Sequence, residues 1–261
     1  MLSPSDYCLI NGVDFDAVPA GLYRARSNAV ARAMAGADWL IRDKADGRYI
    51  ALASRGSLRY LHTLPRAEPL AALWQALQDS VYSRDALPPD RLFSLLDDLG
   101  ISGEDYARET GLNWMLEPAL LSYAGRDRYQ RPLWLEAQTA GLWRRMQQAA
   151  AKDNAPLQAI SGFRSHAYQA GIFARKMARG LDISQILTVN AAPGFSEHHS
   201  GRAIDISAPG MPAAEESFEH STAFDWLSRH AADFGFRLSY PRGNSHGITY
   251  EPWHWYWQGC D

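Results

Sequence analysis

The segment Ala203-Ile204-Asp205-Ile206-Ser207 places the strongest single constraint on this chain. It reads as a strand, and strand side chains alternate between two faces, so Asp205 points away from both isoleucines. A carboxylate among apolar neighbours is costly unless it is paired or bound to a metal. Just upstream stands Ser196-Glu197-His198-His199-Ser200-Gly201. Glycine at 201 permits a tight turn, which lets an imidazole and the carboxylate converge.

The histidines are unevenly spread. Seven of the eight lie at or beyond His166, so chemistry is expected in the last hundred residues or so. Near the end comes Glu251-Pro252-Trp253-His254. His198, Asp205 and His254 together make an N2O donor set, which leaves one tetrahedral Zn²⁺ position for water. Glu251 is near in sequence but outside that set, and a carboxylate beside such water can take its proton and pass it to a leaving amine. A third cluster, Ser161-Gly162-Phe163-Arg164-Ser165, falls at a strand-to-helix junction. Arg164 there presents a planar fork suited to a carboxylate or a developing oxyanion, and Gln169, one turn on, can support substrate or the same arginine. Read as residues alone, the set is compatible with a metal site. It is equally compatible with a buried polar network, or with a glycan-binding face lined by Trp253, Trp255 and Trp257.

The three clusters taken together resemble the signatures of the M15 zinc peptidases, in order, spacing and residue type. The resemblance is closest to the VanY-type D-alanyl-D-alanine carboxypeptidases and their L,D-carboxypeptidase relatives, and it runs from about Tyr129 to Gly259. It implies that His198, Asp205 and His254 hold zinc, that Glu251 is the general base and acid, and that Arg164 stabilises the polarised carbonyl. Ser161, Gln169, Ser196, His199, Tyr240 and Trp253 are the residues expected to meet substrate. The implied reaction is one-step hydrolysis without an acyl-enzyme, acting on peptidoglycan stem peptides or muropeptides with D-alanine as the departing residue. Cleavage at an L,D bond, or endopeptidase action, is the alternative on the same scaffold. A non-catalytic cell-wall or glycan-binding protein is the competing class. His199 departs from the polar residue expected beside His198, and His246 sits in a Gly/Asn/Ser-rich loop near the site.

The implied fold is α+β: a small zinc-peptidase domain over residues 129–261, with a central antiparallel sheet and flanking helices. Strands are expected at Leu157–Ile160, Ala203–Ser207, Phe236–Tyr240 and Trp253–Trp257. Helices are expected at Pro132–Ala150, where proline suits a first turn, and at His166–Arg179 and Phe218–Phe234. Residues 1–128 read as a mainly helical region of unknown role. Its helices are Ser27–Ile41, in which Val30, Met34, Ala37 and Ile41 fall near one face, then Pro69–Ser80, Pro89–Leu99 and Gly111–Tyr123. One hairpin is expected, Arg48–Ala53 with Ser57–Leu61.

Composition narrows the function classes. With 46% hydrophobic and 11% aromatic residues, the chain is not disordered. Its 26 Lys and Arg against 29 Asp and Glu give a net charge of -3, so no general attraction to nucleic acid is expected. There is no apolar run long enough for a membrane span. The sequence as it stands reads as soluble and cytoplasmic, with action in the periplasm or cell envelope if the protein is exported. Two cysteines, Cys8 and Cys260, allow at most one bridge.

Overall fold

A computed structural model of the 261-residue chain describes residues 7–25, 28–61, 68–79 and 82–259. Two antiparallel sheets organise it. The first has seven strands: β1 (Cys8–Asn11), β2 (Phe15–Pro19), β3 (Trp39–Asp43), β4 (Tyr49–Ser54), β5 (Ser57–Tyr60), β6 (Leu120–Arg126) and β7 (Pro132–Leu135). Their spatial order is β5-β4-β3-β2-β1-β6-β7. Four helices accompany this part: α1 (Asn28–Met34), α2 (Glu68–Asp79), α3 (Asp90–Leu99) and α4 (Gly103–Thr110).

The region before residue 128 is therefore strand-rich, and the expectation of a mainly helical one is corrected. The physical reason lies in how the strands are buried. Ile10, Ala17, Ile41 and Ala51 face α2 through Leu70 and Leu73, while Leu9, Val18, Leu40 and Leu52 are buried on the other face beside Leu121 and Trp134 of the same sheet, with Ala33 and Met34 of α1 packed against them. Strands covered on both faces lose the alternating pattern that marks a half-exposed strand. Polar residues inside them obscure the pattern further. Asp16 of β2 is the register partner of Arg42 of β3, and the guanidinium donates to both carboxylate oxygens at 2.8 and 2.7 Å. A charge thus sits within a buried strand because its partner stands directly across.

Particular elements move accordingly. The helix expected over 27–41 stops at Met34, and Trp39–Asp43 is a strand paired on both sides; Ser27, its expected first residue, lies outside the described residues. The helix expected over 111–123 is absent, because Pro118 cannot donate to a helical ladder, and Leu120–Arg126 joins β1 and β7 instead. Pro132 opens a strand, and the helix α5 (Ala137–Lys152) starts later, capped by Glu136, whose carboxylate accepts from the N–H groups of Gln138 and Thr139. The expected hairpin matches β4 and β5 closely. β6 and β7 lie on either side of residue 128 and pair Ser122 with Leu135 and Tyr123 with Trp134.

The second sheet contains β8 (Gln158–Ser161), β9 (Ala203–Ser207), β10 (Phe236–Leu238) and β11 (His254–Trp257), in the order β10-β11-β9-β8. Around it are α6 (His166–Met177), α7 (Ile183–Leu187) and α8 (Thr222–His230). One face packs Ile204, Ile206, Trp255 and Trp257 against Trp143 and Met146 of α5 and Trp226 of α8. Trp255 and Trp257 are each only 4% exposed, so they are core anchors and present no aromatic face to a glycan. The opposite face carries the polar cluster. Among the described residues Cys8 is a free thiol, and Cys260 lies outside them. No helix among the described residues is long and apolar enough to cross a membrane.

Candidate active site

Strand pairing builds the site. Asp205 of β9 and His254 of β11 are register partners, so both side chains leave the sheet on the face opposite the tryptophans. His254 Nδ1 lies 3.1 Å from Asp205 Oδ1. His198 arrives from a 3-10 turn, Glu197–Ser200, and its Nε2 lies 3.2 Å from Asp205 Oδ2. The turn ends at Gly201 with φ +71°, where a Cβ would come within 2.6 Å of Leu121 and 2.9 Å of the Glu136 nitrogen. No other residue fits that position without displacing the backbone.

One donor atom from each of His198, Asp205 and His254 lies within 4.8 Å of the others, and all three residues are buried. The far nitrogens of both imidazoles are already committed. His198 Nδ1 donates to the Gly162 carbonyl at 2.7 Å, and His254 Nε2 donates to Glu197 Oε2 at 2.8 Å. That leaves His198 Nε2 and His254 Nδ1 facing Asp205. Metal-binding histidines are held in this way, by an acceptor on the outer nitrogen that fixes the ring and its tautomer. The cluster is therefore compatible with a zinc site.

The charges are strongly coupled. Burial opposes ionisation of Asp205, but the two imidazoles hold its carboxyl far below the usual range. Burial likewise lowers His254, yet hydrogen bonds to Asp205 and Glu197 push it up to about 10. Burial dominates at His198, whose imidazole is driven down toward the neutral form. Glu251 behaves oppositely: burial raises its carboxyl to about 7. Its Oε2 lies 3.9 Å from His254 Nδ1, beside the cluster but outside it.

Arg164 approaches from the β8–α6 junction. Its Nη2 lies 3.7 Å from Asp205 Oδ2, and its Nη1 donates to Gln169 Oε1 at 3.1 Å. Gln169 in turn donates to the Ala191 carbonyl, which fixes its own orientation. Tyr240 is buried with its ring 4.9 Å from that of His254. His199 is buried and stands apart from the donor cluster; its Nδ1 donates to the Arg164 carbonyl at 2.6 Å. Ser161 is the register partner of Asp205 on the other side of β9. Ser196 is buried and begins the turn carrying His198. Trp253 packs against the tryptophan-rich core. His246 Nδ1 donates to the Thr110 carbonyl in a loop bordering Glu197.

Sequence reasoning missed Glu197. Its place within the motif suggests no role, because a glutamate opening a short turn ordinarily faces solvent. Here it is buried, holds His254, and has Arg237 Nη2 3.3 Å from its other oxygen. The signal available was adjacency: a carboxylate directly before a candidate ligand.

Comparison with known proteins gives matches over about half of the chain. The family model described as "VanY: D-alanyl-D-alanine carboxypeptidase" matches residues 132–260. The Bacillus subtilis protein YodJ is 34% identical over 125 residues, covering 46% of this chain and 45% of YodJ. The Enterococcus gallinarum protein VanXYC, a bifunctional D-Ala-D-Ala dipeptidase and D-Ala-D-Ala carboxypeptidase, is 29% identical over 136 residues, covering 49% of this chain and 68% of that one. A solved structure of the LdcB LD-carboxypeptidase is 28% identical with a TM-score of 0.48, covering 52% of this chain and 65% of that chain. The match thus takes in about half of this chain, and less than half of YodJ's length.

Proposed function

We propose that this protein, whose residues 132–260 match the VanY-type D-alanyl-D-alanine carboxypeptidase model, is a zinc peptidase releasing the terminal D-alanine of peptidoglycan stem peptides. The observation that carries the reading is the convergence of His198, Asp205 and His254 within 4.8 Å, with Glu251 just outside. The donor set fits zinc: two imidazoles with committed outer nitrogens and one carboxylate, which leaves a position open in a tetrahedral site. When bound, the ion supplies Lewis acidity, polarising a carbonyl and making water acidic near neutral pH.

The chain's own residues supply the rest. Glu251, with a carboxyl near 7, is poised to take a proton from the attacking water and to return it to the departing amine. Burial is what gives it that range, since a solvated glutamate is too weak a base. Arg164, held by Gln169, directs its guanidinium at the oxygen that gains charge as water adds to the carbonyl. The C–N bond then breaks, leaving a new carboxylate and free D-alanine. No serine acts as nucleophile, because Ser161 and Ser165 lack the lysine partner of a serine-type penicillin-binding site.

D,D-cleavage is the leading reading, after the family description and VanXYC; L,D-cleavage is the second, as the alternative on the same scaffold. Zinc-loaded protein incubated with defined pentapeptide and tetrapeptide stems, followed by mass analysis, separates them. Loss of one alanine from the pentapeptide alone supports D,D-cleavage. Loss from the tetrapeptide shows L,D-cleavage, and internal fragments show an endopeptidase. Intact peptides throughout would contradict the reading.

A further inference from the structure

A buried network outside the reaction centre joins the first sheet to the segment that carries Arg164. Glu117, in the extended stretch before β6, and Lys44, just after β3, form an ion pair of 2.6 Å with side chains only 4% and 2% exposed. Lys44 also donates to the Gly12 carbonyl at 2.7 Å, and Asn11 donates to the same Glu117 oxygen at 2.8 Å. The other Glu117 oxygen accepts from the backbone N–H of His166 at 2.7 Å. His166 is the first residue of α6, and Ser165 caps the third N–H of that helix. The opening turn of a helix leaves N–H groups without partners, and a carboxylate there both satisfies one and complements the helix dipole.

The position of that turn matters because Arg164 is two residues upstream and Gln169 three downstream. His166 packs its ring edge-on to His199 at 4.4 Å, and His199 holds the Arg164 carbonyl. The Met115 carbonyl, from the same stretch as Glu117, holds His166 Nε2 at 2.8 Å. The chain just after Arg164 is thus fastened to Met115 and Glu117, in the segment that leads into the first sheet, and the Arg164 carbonyl to His199. We propose that Glu117, fixed by Lys44, is a positioning residue for Arg164, and that residues before 128 complete the active site by holding the start of α6. The proposal rests on the catalytic reading of Arg164.

A buried ion pair can often be replaced by apolar groups without loss of the fold, which makes a clean test possible. E117L/K44M removes the acceptor, and E117Q/K44M keeps one. Zinc content and kcat/KM on a stem peptide are measured for both, in wild-type and R164A backgrounds. The expected result is undiminished zinc content, with kcat/KM falling about 10- to 100-fold for E117L/K44M, since small misplacement of a catalytic group costs up to about that much. E117Q/K44M should recover most of the loss, and neither pair should add appreciably to R164A. Hydrogen exchange of the wild-type protein, which needs no variant, should show the His166 amide strongly protected. Equal losses in both backgrounds, or an unprotected His166 amide, overturn this proposal alone. An R164A variant as active as wild type overturns the catalytic reading and the proposal with it.

Discussion

His254 and Asp205 stand directly opposite each other on neighbouring antiparallel strands, and their side chains meet at 3.1 Å. Backbone register, which a flexible loop would not fix, sets the spacing of two of the three candidate zinc ligands. The third, His198, depends on the glycine turn at 201. A one-residue slip of β11 would send His254 into the core and a tryptophan into the site.

That geometry predicts how the histidines respond to substitution. H198A and H254A should each lose most of their zinc while keeping a folded circular-dichroism spectrum, because the apolar face of the sheet is untouched. Metal analysis of purified protein checks this. One full equivalent of zinc in H254A would remove His254 from the ligand set.

Arg164 should matter more for turnover than for folding. Lysine keeps the charge but loses the planar fork, so R164K should stay impaired. Loss of one oxyanion donor elsewhere costs roughly 2.7–4 kcal/mol, about 10²–10³ in rate. Steady-state cleavage of one stem peptide by wild type, R164K and R164A should show a drop of that order in both variants, with zinc content unchanged. Equal kcat/KM in all three would make Arg164 structural.

The Lys44–Glu117 pair should give stability a defined acid limit. Burial opposes ionisation of Glu117, but Lys44, with His166 and Asn11, pulls its carboxyl below the usual value. A carboxyl lowered on folding contributes stability above its unfolded pKa, and that contribution fades as pH falls through the folded value. K44M strands the charge, and breaking a buried pair typically costs about 3–5 kcal/mol. Denaturant titrations of wild type and K44M should therefore differ by that order at pH 7. The gap should narrow as pH falls, first as the stranded carboxyl of K44M, raised by burial, takes a proton, and fully once the wild-type carboxyl does. A gap independent of pH would show that the pair carries no such linkage.

The site was more legible than the fold around it. Asp205 between two isoleucines, Gly201, and Glu251 three residues before His254 are local patterns, and each has a physical consequence that can be read without neighbours. The first sheet has no such markers. Its strands are buried on both faces, and Asp16 and Asn11 look like loop residues until Arg42 and Glu117 are seen beside them. Glu197 and Glu117 share that difficulty. Both are buried carboxylates whose partners, His254 and Lys44, lie 57 and 73 positions away in the chain. Long-range pairing is invisible in a single sequence, whereas an adjacent ligand and turn are not.

The most direct test of the central claim is release of free D-alanine from a stem pentapeptide by zinc-loaded wild type and by E251Q. Glutamine preserves the shape of Glu251 and removes the base, and general acid-base groups contribute typically ~10²–10⁴-fold. Wild type should release D-alanine catalytically, and E251Q should be slower by at least about 10² while still holding one zinc. Equal release by the two proteins, or none by zinc-loaded wild type, would contradict the account.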